Sequence, residues 1–158
     1  MDRFDPKFMK MAIELARQNV ILGKGGPFGA VVVKDGEVVA SAMNEVISND
    51  DPTAHAEVMA IRRACASLKS YQLDGCEIYT SCEPCPMCLG AIYWARPDRV
   101  YYAATRDDAA SSGFDDSLIY RECRMAMDDR SIPFHNTMRE EAVKAFKAWD
   151  KSGLKIKY

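Results

Sequence analysis

Residues 76–104 read CEIYTSCEPCPMCLGAIYWARPDRVYYAA. The opening, Cys76 to Thr80, is a short apolar run of the kind that forms a buried strand. Pro84 then opens a helix that continues to about Ala95. Arg96-Pro97 stops it, because a proline disfavours helical backbone in the residue before it. Val100 to Ala104 is a second strand. Strand, helix and strand in that order predict a parallel βαβ crossover.

Upstream, Asp5-Pro6 supplies an N-cap and a first-turn proline, and Phe8, Met11, Ala12, Leu15, Ala16 and Val20 form an apolar stripe at helical spacing. A helix is expected from about residue 6 to 22, ended by the glycines at 23, 25 and 26. Phe28 to Val33 is a β-branched run that turns at Asp35-Gly36 into Val38-Val39-Ala40, which predicts a hairpin. A polar loop from Asn44 to Pro52 leads to a second helix over Ala54 to Leu68. Downstream, Thr105 to Asp116 reads as an acidic loop and Leu118 to Met127 as a helix. Met138 to Trp149 is an amphipathic helix before a polar tail ending at Tyr158. The pattern predicts an α/β fold, a mixed sheet with helices on both faces, in one domain over residues 1–158.

The chain has 158 residues, 48% hydrophobic and 28% charged, which suits one globular domain and excludes default disorder. A domain of this size buries about 70% of its unfolded surface and needs no disulfide staple. The net charge of −2 lacks the positive excess that phosphate backbones attract, so no nucleic acid is expected as partner. No apolar run approaches the roughly 18 residues of a membrane span, and Met1-Asp2-Arg3-Phe4-Asp5-Pro6 lacks signal-peptide order; a cytoplasmic protein with no membrane partner is expected. In that compartment the six cysteines, at 65, 76, 82, 85, 88 and 123, read as free thiols or metal ligands.

The chemistry concentrates in His55-Ala56-Glu57 at one helix start and Pro84-Cys85-Pro86-Met87-Cys88 at another. Cys85 and Cys88 are three apart, which places both sulfurs on one helical face. With His55 as third ligand they form an N and S donor set suited to zinc, leaving the fourth tetrahedral position for water. The positive end of each helix favours thiolates there. Glu57 is not needed as a ligand, and a carboxylate beside such a water can take its proton and pass it on. A redox pair and a closed structural site completed by Cys82 are the competing readings of the same cysteines.

These two motifs resemble the cytidine deaminase-like superfamily of zinc deaminases, whose signature joins HxE to PCxxC. Further stretches resemble the small bacterial guanine deaminases within it: Gly25-Gly26-Pro27-Phe28-Gly29-Ala30, Asn49 to Glu57, Tyr79 to Cys88, and Gly113-Phe114-Asp115-Asp116-Ser117, together with the terminal Tyr158. The resemblance implies a three-layer α/β/α sandwich on a mixed sheet of about five strands. It implies that Asn44 and Asp116 meet the polar edge of a purine and that Phe28 forms an apolar wall against it. An amide offers donor and acceptor together, and a carboxylate accepts from ring N–H or amino groups. Asn44 could equally stabilise a turn, Asp116 cap the next helix, and Phe28 belong to the core.

The expected reaction is hydrolytic deamination of guanine to xanthine and ammonia, within purine catabolism or salvage. One zinc per chain, on His55, Cys85 and Cys88, would lower the pKa of its bound water to yield hydroxide. Glu57 would shuttle protons, and the Ala56 N–H would help orient the base. The alternatives are a tRNA adenosine deaminase, a cytosine or cytidine deaminase and, outside catalysis, a zinc-stabilised binding module. Asp107-Asp108, Asp115-Asp116 and Arg139-Glu140-Glu141 weigh against an RNA substrate. The C-terminal element, about 138–158, is expected to cover the site, with Trp149 and Leu154 as anchors and Tyr158 over the base. It could do so within one chain or by exchange in a homodimer.

Overall fold

The computed structural model describes residues 4–153, 155, 156 and 158. Its elements run α1 (Pro6–Ile21), β1 (Gly29–Lys34), β2 (Glu37–Met43), α2 (Val46–Asn49), α3 (Ala56–Leu68), β3 (Cys76–Cys82), α4 (Pro86–Ala95), β4 (Arg99–Ala104), α5 (Arg106–Ser111), α6 (Ser117–Glu122), a 3₁₀ turn (Met127–Asp129) and α7 (Arg139–Lys151). By their contacts they form two compact units, one up to Asp116 and one from Ser117. The boundary falls well before residue 138, where the sequence reading starts the C-terminal element.

The first unit is built on a mixed sheet in the order β2-β1-β3-β4. Strand β1 is antiparallel to β2 and β3, and β3 is parallel to β4 across α4, as the βαβ reading requires. The described residues hold four strands rather than about five, so the strand count is corrected. The β1–β2 turn sits on Asp35 and Gly36, at φ 52° and 81°, the left-handed pair that a two-residue hairpin loop matching strand twist demands.

Alternation along the strands sorts the core into two layers. Val31, Val33 and Tyr79 face α1 and pack on Phe8, Met9 and Ala12. Ala30, Val32 and Ile78 face the other way, onto Ala56, Ala60 and Ala64 of α3 and Ile92 of α4. The fold is therefore the expected α/β/α sandwich. Every residue of β3 is buried, and the Tyr79 hydroxyl in its middle is satisfied: it accepts from Asp5 N at 3.1 Å and donates to Glu77 at 3.2 Å.

Three readings change in detail. The α1 stripe is rotated: Phe8, Met9, Ala12, Ala16 and Asn19 are buried, while Met11 and Val20 are exposed. Helical turns form in both segments read as loops, α2 and α5; Thr105 and Asp108 close a reciprocal capping box on α5, satisfying two first-turn N–H groups. The helix expected over Leu118 to Met127 ends at Glu122. Among the described residues no helix is long and apolar enough to cross a membrane, and none of the six cysteines is bridged.

Register determines where function can lie. Gly29 pairs with Met43, Ala30 with Thr80, and Cys82 with Ala104. The start of β1 and the ends of β2, β3 and β4 thus share one edge of the sheet. Phe28, Asn44, the loop to Cys85, and Thr105 all issue from that edge, outside the carboxyl ends of the parallel strands, where α/β sheets bind ligands.

Candidate metal centre and active site

His55 is the N-cap residue of α3 and Cys85 that of α4, both with extended backbone, so each side chain sits at the positive end of a helix. Cys88, one turn into α4, is fully buried. His55 Nδ1 lies 3.5 Å from Cys85 Sγ and 3.4 Å from Cys88 Sγ. All three ligand atoms fall within 4.8 Å of one another, the one such group of His, Cys and acidic residues among the described residues. A tetrahedral zinc with Zn–S about 2.3 Å and Zn–N about 2.1 Å separates N from S by about 3.5 Å, so the donors already stand at zinc-binding spacing.

The electrostatics fit an open cation site. Cys85 is lowered to about 4, chiefly because its thiolate accepts from the Cys88 thiol and then from His55. Cys88, giving that hydrogen bond and buried, is held up as a thiol. His55 is raised above its ordinary value, mainly through its bond with Cys85. A divalent ion would replace the shared proton, and three protein ligands leave a coordination position open. Cys82 is not part of the group: burial pushes it up to about 11, and its thiol is turned to the Thr105 carbonyl at 3.6 Å. Its geometry argues against the closed four-ligand reading, and His135 is outside the group as well.

Glu57, two residues into α3, is buried beside these donors. Its Oε2 lies 3.5 Å from Cys88 Sγ and its Oε1 lies 3.4 Å from Thr80 Oγ1, whose hydroxyl also reaches Cys82 O at 3.0 Å. Burial raises its carboxyl above the usual range, which moves it toward neutrality, where a proton carrier works best. The Thr80 contact was not foreseen; a threonine at the centre of a buried strand carries no signal beyond β propensity.

The remaining predicted residues of the first unit are placed as follows. Ala56 is fully buried at the first position of α3, where its N–H has no intrahelical acceptor. Asn44 is buried, and its Oδ1 accepts from Val46 N at 3.2 Å, so the turn role holds and Nδ2 is left as the donor that could serve a base. Phe28 packs partly against the core and meets Phe114 edge to face, with ring centroids 5.0 Å apart. Phe28 is thus one member of an aromatic pair with Phe114. Asp116 is half-buried; burial raises its carboxyl, as does the negative Cys85. Tyr158 belongs to the second unit, where its ring is exposed, as Trp149 largely is. Leu154 lies outside the described residues.

A sheet edge carrying a His-Cys-Cys donor set with a buried glutamate beside it defines a zinc-dependent deaminase site. The family model for the cytidine and deoxycytidylate deaminase zinc-binding region matches residues 2–104, and the chain belongs to that family. The chain is similar to guanine deaminase of Bacillus subtilis (strain 168), 56% identical over 96% of this chain and 97% of that one. An X-ray structure of guanine deaminase from Bacillus subtilis superposes with a TM-score of 0.95 at 54% identity, covering 100% of this chain and 99% of that chain. The chain is also similar to tRNA-specific adenosine deaminase of Aquifex aeolicus (strain VF5), 42% identical over 61% of this chain and 64% of that protein.

Proposed function

We propose that this protein is a zinc-dependent guanine deaminase, converting guanine and water to xanthine and ammonia in purine catabolism or salvage. One observation carries the reading: the His55, Cys85 and Cys88 donors and the buried Glu57 lie together in a chain similar to a guanine deaminase almost end to end. The tRNA-specific relative is similar over a smaller share of the chain.

His55, Cys85 and Cys88 would hold the zinc, which when bound supplies a positive charge that lowers the pKa of water toward neutrality. Glu57 takes a proton from the attacking water and gives it to the ring nitrogen beside the carbon that carries the exocyclic amine. It then takes the remaining proton from the newly added hydroxyl and passes it to the departing amine, so the C–N bond breaks to release ammonia and the carbonyl of xanthine forms. Glu57 needs reach to both atoms, which its place beside the donor set supports. Asn44 Nδ2 and the Ala56 N–H donate to acceptors on the base, Asp116 accepts from its N–H groups, and Phe28 lies against its face. Tyr158 covers the bound base and excludes water.

The working form is a cytoplasmic homodimer. Support comes from α4, which leaves Leu89, Tyr93 and Trp94 exposed, an apolar patch of the kind that second copies cover. Exchange of the C-terminal segment is part of the same proposal: α7 buries none of its residues, and Phe146 and Trp149 stand on its apolar side.

Ammonia release from guanine, adenine, cytosine, cytidine, adenosine and a tRNA anticodon stem-loop tests the assignment. Guanine should be turned over best, with little change on adding salt, because a neutral base releases no counterions. Efficient conversion of the stem-loop with a steep salt dependence would overturn it.

A further inference from the structure

Asn19 is a polar residue on the buried side of α1, and it is 1% exposed. Its position continues the inward row of Phe8, Ala12 and Ala16, where an apolar side chain would be expected. Its Nδ2 donates to two loop carbonyls, Asn44 O at 2.9 Å and Gly26 O at 2.9 Å, the latter also accepting from Phe28 N at 2.8 Å. One amide nitrogen has two hydrogens, so a single side chain ties the loop ahead of Phe28 to the residue that follows β2. The tie is reinforced on both sides: Asn44 N donates to Phe28 O at 3.0 Å, and Gly29 N donates to Ser81 Oγ at 3.0 Å.

The loop is packed to the limit of its backbone. A Cβ on Gly25 would stand 2.7 Å from Asn44 O and 3.0 Å from Asn19 Nδ2. One on Gly26 would stand 3.2 Å from the Phe28 ring and 3.4 Å from the Phe114 ring. On the other side, Asn44 borders an open cavity of about 450 Å³, lined also by Leu15, Lys24 and Arg63, into which it could relax without its tie.

We infer that Asn19 is a positioning residue for substrate binding, setting the distance between the Asn44 amide and the Phe28 wall from a place that touches neither base nor metal. This rests on the reading that Asn44 and Phe28 face the base. A leucine at 19 keeps the branching of the side chain, with more bulk, and removes the donor from Asn44 O while Gly26 O retains only the Phe28 N–H, a change the loop relieves by moving.

Steady-state kinetics with guanine on Asn19→Leu, Asn44→Ala and the double variant test this, with zinc content measured alongside. Asn19→Leu should raise KM about tenfold or more, change kcat less than threefold, and keep one zinc per chain. In the Asn44→Ala background the same substitution should raise KM much less, because the group it positions has gone; a merely structural role would not give that coupling. Should Asn19→Leu not fold, Gly25→Ala presses a Cβ onto the same Asn44 carbonyl and the Asn19 amide and should give the same KM-weighted loss. If Asn44→Ala raises KM while Asn19→Leu and Gly25→Ala leave it unchanged, or the Asn19 and Asn44 effects multiply, the role of Asn19 is refuted and the reading of Asn44 stands. If Asn44→Ala leaves KM unchanged, both fail together.

Discussion

Replacing Glu57 by glutamine should separate chemistry from folding. The amide keeps the shape of the carboxyl and can keep its contacts with Thr80 and Cys88, but it cannot accept the attacking water's proton. General acid–base catalysis contributes about 10²–10⁴ per transfer, and Glu57 serves both attack and departure, so kcat should fall by about 10⁴-fold. That is about 5.5 kcal/mol of transition-state stabilisation. KM should change little and zinc should remain at one per chain. Coupled detection of ammonia and metal analysis of the same sample provide the assay. More than a tenth of the activity remaining in fully metallated Glu57→Gln would refute the proton-carrier role.

The same variant should shift stability in the opposite direction. Burial raises the folded pKa of Glu57, so the folded state binds its proton more tightly than the unfolded chain does. Below the unfolded value of about 4.3 the carboxyl is neutral in both states and costs nothing. As pH rises through the folded value, burying the charge costs the zinc-stripped wild type stability that Glu57→Gln does not lose. Each tenfold difference in proton affinity is worth about 1.4 kcal/mol, or about 3–6 °C in Tm for a chain of this size. Melting of the two stripped proteins should diverge from pH 4 to pH 8, with the variant the more stable. Parallel curves would show that Glu57 carries no burial penalty.

Other perturbations have outcomes of similar definition. His55→Ala, Cys85→Ala and Cys88→Ala should each lower zinc content, whereas Cys82→Ala and Cys123→Ala should retain one zinc per chain, read by metal analysis. Gly29→Ala would place a Cβ 2.3 Å from Ala12 O and 2.8 Å from Ala16 N. Backbone cannot yield there without lifting α1, so a loss of about 3 kcal/mol and a Tm lower by about 6–12 °C are expected from thermal melting. Removing residues 154–158 should leave zinc content intact and weaken guanine turnover at least tenfold if Tyr158 covers the base; unchanged kinetic constants would make the tail a plain terminus.

The zinc donors were legible because each is local to a helix start. Proline, cysteine spacing and the strand between the two motifs already imply that the sites meet at one sheet edge. The βαβ unit and the hairpin were legible for the same reason: Asp35-Gly36 and Arg96-Pro97 are local instructions. What escaped depends on phase or on distant partners. Hydrophobicity alone sets the α1 stripe on Met11 and Val20 and hides Asn19, a polar residue buried where it donates to two loop carbonyls. Its spacing of three from Ala16 was the available signal. α5 reads as loop because its acidic residues look solvated, although Thr105 and Asp108 stand at capping-box spacing. Phe114 gained meaning only when the fold set its ring against Phe28.

The central claim is tested most directly by incubating the zinc-loaded protein with guanine and measuring xanthine and ammonia, then repeating after chelation and after return of zinc. The account predicts one xanthine and one ammonia per guanine consumed, loss of both products on chelation, and recovery as zinc returns to one per chain. Guanine left intact by fully metallated protein, or consumed at the same rate after the metal is removed, would contradict it.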